Sequence, residues 1–94
     1  MTQTVVFEDI GNDPVVLADG ATYSTVTVQV RGVEDVEIVV DDRDEATRQA
    51  AGDNIGVSYT EGEKTQFSGF VGEIRVNRLS KVSKNTARVV VVRS

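Results

Sequence analysis

Nineteen of the 94 residues are valine, and through much of the chain they recur at every second position. β-Branched side chains are stiff about χ1 and fit a pleated surface better than a helix. The clearest stretch is 22–30, where Val26, Val28 and Val30 share one parity and Thr25, Thr27 and Gln29 the other. A period of two with one apolar face is the pattern of a half-buried strand. Gly and Asp/Asn clusters punctuate it, which argues for an antiparallel all-β domain.

Followed along the chain, the same reasoning predicts strands over 4–7, 22–30, 33–40, 54–60, 65–79 and 86–92, with 15–17 either a further strand or an extended arm. Gly11-Asn12-Asp13-Pro14 turns the first strand back, and Asp19-Gly20 is a hairpin-type turn signal. Arg31-Gly32 allows a tight reversal, so 22–30 and 33–40 are expected to pair as a hairpin, with Val36, Ile38 and Val40 inward. Ile55, Val57 and Tyr59 form the next inward set. In 65–79 the apolar phase changes: Phe67 and Val71 lie on one parity, Phe70, Ile74 and Val76 on the other. Gly69 and Gly72 sit where a bulge or sharp corner would carry the chain between faces. Phe67 and Phe70 read as core residues flanking that corner.

One segment breaks the β pattern. Asp42 precedes Glu45 by three residues, a capping-box spacing, Ala46, Ala50 and Ala51 supply a small apolar face, and Gly52 suits a helix end. A short helix over 43–51 is expected. The fold class is therefore all-β: a single domain over 1–94, a small antiparallel β-barrel of six to seven strands with one short helix.

Chemistry is sparse. With no Cys and no His, disulfides, the usual zinc sites and the commonest general base and thiol nucleophile are excluded. No phosphate loop, dinucleotide fingerprint or nucleophile elbow is present. Asp42 and Asp44 fit the first positions of a calcium loop, but Ala46, Thr47 and Asp53 stand where that loop needs a ligand, a glycine and a glutamate. Helix capping explains those acids better. The chain reads as a non-enzyme with no catalytic residue, no metal site and no cofactor. Residues 1–8 do not resemble a signal peptide, and the longest apolar run, 89–92, is too short to span a bilayer, so no membrane role is expected.

Charge is sorted along the sequence. Residues 1–63 hold fourteen acids against three arginines, and residues 64–94 hold seven cations against one acid, for a net charge of −5. The acidic, Arg-rich and Lys-poor composition resembles that of salt-adapted archaeal proteins. Arg75, Arg78, Lys81, Lys84 and Arg88 are expected to gather around one hairpin end as a basic interface. In 89–92 valines point both ways, so Val90 and Val92 are candidates for an outer face buried by a neighbouring subunit. Small folds without disulfides or metals often gain stability by association.

Gly52-Asp53-Asn54-Ile55-Gly56-Val57, followed by Phe67-Ser68-Gly69-Phe70-Val71-Gly72-Glu73-Ile74, is similar to the β-barrel modules of tailed-virus tail hubs and head-tail joining proteins. The likeness covers residues 42–76. It implies a virion component, assembled in host cytoplasm, that forms a ring in the neck or tail or decorates the capsid. Its partners would be copies of itself and other virion proteins, met through complementary acidic and basic surfaces. The alternative is a nucleic-acid-binding barrel that uses the basic C-terminal hairpin, although the net −5 repels a polyanion at long range.

Overall fold

The computed structural model describes residues 2–41 and 57–94. In chain order the strands are β1 (Gln3–Ile10), β2 (Val15–Asp19), β3 (Thr25–Val30), β4 (Val36–Asp41), β5 (Val57–Tyr59), β6 (Lys64–Ser68), β7 (Glu73–Arg78) and β8 (Ala87–Arg93). They form two four-stranded sheets, ordered β1-β8-β3-β6 and β2-β7-β4-β5. Every ladder is antiparallel. Among the described residues, consecutive strands alternate between the two sheets except β4 and β5, which share one. This interleaving is the strand order of a double-sheet jelly roll.

The sheets bury one parity of each strand against the other sheet. Val26, Val28 and Val30 of β3 and Val89 and Val91 of β8 meet Val36, Ile38, Ile74 and Val76 of β4 and β7. Ile10, Leu17, Ala18 and Ala87 extend the core, and Phe7, Tyr59, Phe67 and Phe70 pack around it half-buried. Each fully buried valine, isoleucine or leucine contributes roughly 1.5–3 kcal/mol relative to its exposed state. That is the main favourable term in a domain this small.

The all-β antiparallel class is as expected, but the architecture differs from the expectation in several places. Among the described residues the strands number eight, not six or seven, and they lie in two sheets rather than one closed barrel. No helix occurs among the described residues; the one expected over 43–51 lies outside them, as do Ile55 and the acids from Asp42 to Glu45. Val57, expected inward, is 56% exposed.

The predicted hairpin between 22–30 and 33–40 does not form, because those two strands belong to opposite sheets. The end of β3 is already paired on both sides. Val30 N–H donates to Glu63 O at 3.0 Å and Val30 O accepts from Gly62 N–H at 2.8 Å, while Arg31 N–H donates to Arg88 O at 3.0 Å. With no position free beside it, the chain leaves the sheet, and Leu79 N–H donating to Asp35 O at 2.9 Å fixes its entry to the other. The expected long strand over 65–79 is likewise two strands, β6 and β7, in different sheets. Gly69 at φ 63° and Gly72 at φ 88° make the corner between them, conformations that an L side chain resists.

Candidate assembly surface

Register decides which side chains face outward on the first sheet. Thr4 pairs with Val92 and Val6 with Val90 across β1 and β8. Thr27 pairs with Val92 and Gln29 with Val90 across β3 and β8, and Gln66 and Lys64 continue these rows on β6. Val89 and Val91 are fully buried, so their neighbours Val90 and Val92 face away from the core. Val6 is 44% exposed, Val92 38%, and Val90 is half-buried. The centre of this outer face is therefore valine, threonine and glutamine. Its charge stands around them: Glu8 and Arg88 form an ion pair at 3.3 Å, Arg31 reaches Gln29 Oε1 at 3.3 Å, and Lys64 stands at the far edge strand.

The five cations expected to cluster are brought together only in part: Arg78, Lys81 and Lys84 stay at the β7–β8 loop. β7 and β8 are central strands of different sheets, so Arg75 and Arg88 separate. Arg75 alternates with the core residues Ile74 and Val76 and faces out from the second sheet, where it is only 7% exposed and binds Glu73 at 2.7 Å. Val39, its partner across β4, is buried on the same side. Arg88 faces out from the first sheet. Lys81 and Lys84 are exposed on the loop between β7 and β8, beside Val82, which is 91% exposed.

Arg78 is committed to the chain's own loops. Its guanidinium donates to Ser80 O at 2.9 Å, to Asn85 O, and to Asn12 Oδ1 at 2.8 Å. Asn12 returns two bonds from Nδ2, to Arg78 O and Ser80 O, both 2.9 Å. Ser83 Oγ donates to Glu34, which ties this loop to the one after β3. The result is a stitched end of the sandwich rather than a free basic arm.

A second knot, which sequence reasoning missed, centres on Arg93. Its guanidinium donates to Leu17 O at 2.6 Å and Gln3 Oε1 at 2.8 Å, and lies 4.7 Å from the Tyr23 ring centroid. Its partners are some 70 to 90 residues away in sequence, so no local pattern marks them. At the turn before β6, Glu63 accepts from Thr60 Oγ1 at 2.7 Å and Thr60 N–H at 2.8 Å. The Thr60 hydroxyl first, and then its backbone N–H, hold the Glu63 carboxyl below its ordinary value.

At the margin of the outer face, a groove of about 470 Å³ lies between Glu8, Asp9, Gly32 and Arg88. Asp9 there has φ 57°, within the register break between Phe7 and Ile10 that twists the end of β1. Among the described residues no group of three or more Asp, Glu, His or Cys is arranged to hold a metal ion. No helix among them is long and apolar enough to cross a membrane. Compared with family models, with curated proteins and with solved structures, the chain matches none.

Proposed function

We propose that this chain is a non-enzymatic structural assembly subunit, a ring or lattice component of a tailed-virus particle, and that its main contact surface is the outer face of the β1-β8-β3-β6 sheet. The observation that carries this reading is the group of outward valines on that face, Val90 and Val92 on the central strand β8 and Val6 beside them on the edge strand β1. A solvated sheet face ordinarily carries polar side chains, and exposed apolar groups set inside a polar margin mark a surface that another surface covers. The jelly-roll order supports the virion setting by analogy, since capsid proteins use it, although one fold hosts many functions. The placement of the cations moves weight from charge to apolar contact: of the five, Arg75, Arg78 and Arg88 are engaged within the chain.

Light scattering of the purified protein at low and high salt tests the reading. A discrete oligomer or polymer that survives high salt is expected, because burial of apolar surface is not screened. Val90→Lys with Val92→Lys should release smaller folded units, with the far-ultraviolet circular dichroism unchanged. A strict monomer under every condition would overturn self-assembly. If that monomer retained DNA with an affinity falling steeply with salt, the nucleic-acid reading would replace it.

A further inference from the structure

The edges of the two sheets are unequally protected. β5 has three residues, β6 begins on Lys64, and β2 follows Pro14, ends on Asp19 and breaks register between Val16 and Ala18. Short length, charge, proline and bulges are the devices that keep edge strands from pairing with other chains. β1 has none of them over Gln3–Phe7. It is the longest strand at an edge, its register with β8 is unbroken from Gln3 to Phe7, and its first charge is Glu8. In an antiparallel ladder alternate residues turn their N–H and C=O away from the neighbouring strand. Among the described residues, no backbone hydrogen bond reaches that side of β1 over this stretch.

We infer that β1 is a strand-addition site whose occupant is β1 of a second copy of this chain, paired antiparallel about a two-fold axis through Val5. This rests on the assembly reading above and names its elementary contact. In this register Gln3 of one copy faces Phe7 of the other, Thr4 faces Val6, and Glu8 falls opposite Thr2. The whole uncharged ladder is used, and the bulge at Glu8 and Asp9 stays outside it. An axis perpendicular to the sheet keeps the two outer faces on the same side. The row Val90–Val6 of one copy then runs on into Thr4–Val92 of the other, which doubles the apolar face. Two four-stranded sheets become one of eight, and an isologous contact of this kind closes on itself.

The chain has no cysteine, so a single Val5→Cys substitution reports on the axis. Facing residues in either kind of antiparallel pair stand about 4.5–5.5 Å apart at Cα, within disulfide reach. Val5→Cys should give a covalent dimer under mild oxidation, in the Val90→Lys, Val92→Lys background as in the parent chain. In the Val90→Lys, Val92→Lys background the remaining species should be a dimer with slowed amide exchange in β1. Thr4→Lys, a charge on the edge, should weaken that dimer at least tenfold without unfolding it. An assembly that forms while Val5→Cys stays unlinked and Thr4→Lys changes nothing would overturn the edge pairing and leave the assembly reading standing. A chain that stays monomeric at every concentration would overturn both.

Discussion

At the scale of single residues, β8 separates two roles one position apart. Val91 is fully buried between the sheets, whereas Val90 faces outward. A run of β-branched residues marks 89–92 as a strand, but four valines in a row do not reveal which parity points inward. Only the partners settle it: Val91 pairs with Val28 of the core on one side and Val5 on the other. Val91→Asp buries a carboxylate with nothing to pair it and should cost about 4 kcal/mol or more, enough to unfold a domain of this size. Val90→Asp should cost less than about 1 kcal/mol, and urea unfolding of the two variants checks the difference. Arg78 shows the opposite lesson. Its charge is plain in the sequence, but its three acceptors are not, because Asn12 is 66 residues away. Arg78→Ala should lower stability by roughly 2 kcal/mol, since it strands loop carbonyls that the guanidinium satisfies, and Arg78→Lys should recover only part.

At the scale of elements, the strands were legible and their pairing was not. Alternation located β3 and β4, and the valine run β8, to within a few residues, and the glycines of 69–72 marked a change of face. What alternation cannot say is which strand lies beside which, since two strands with the same apolar parity pack equally well as hairpin partners or as opposite walls of one core. For β3 the choice is made by the 62–63 turn and by β8, which occupy the positions a hairpin partner would need. Val90 and Val92 of the candidate surface are legible because the run 89–92 breaks the alternation and is apolar on both faces, while the expected basic cluster is split because β7 and β8 enter different sheets. That 62–63 turn is itself held by Glu63, whose carboxylate takes both Thr60 bonds. A carboxyl held below its ordinary value in the folded state supports the turn above the unfolded value and loses that support as pH falls through the folded one. Carbon-detected titration should place Glu63 below the ordinary glutamate range. Thr60→Val should move it back up, and the protection of the Gly62 amide relative to its intrinsic exchange rate should fall at acid pH in the wild type alone.

At the scale of the whole molecule, the jelly-roll order folds a charge-sorted sequence into a charge-mixed surface. β8 lies between β1 and β3, and β7 between β2 and β4, so the basic third of the chain is laid strand by strand among the acidic part. Arg88 meets Glu8 across that seam. The asymmetry in sequence therefore serves a contact inside the molecule. The same topology sets how the chain must fold. Among the described residues β1 pairs in its sheet with β8 alone, with Gln3 opposite Arg93, so the first ladder of the sandwich closes over nearly the whole chain. Closing so long a loop before its contacts form is slow, and folding is expected in milliseconds to seconds. A circular permutant makes the argument testable. Joining Ser94 to Thr2 through Asn-Gly turns β8 and β1 into a local hairpin, and new ends can open at Val82, which is almost fully exposed. The ladders within the molecule are unchanged, so equilibrium stability should stay within about 1–2 kcal/mol. The refolding rate in stopped-flow should rise about tenfold or more, with the unfolding rate little changed. If it did not rise, β1–β8 closure would lie after the rate-limiting step, and the core strands β3, β4 and β7 would form the nucleus instead.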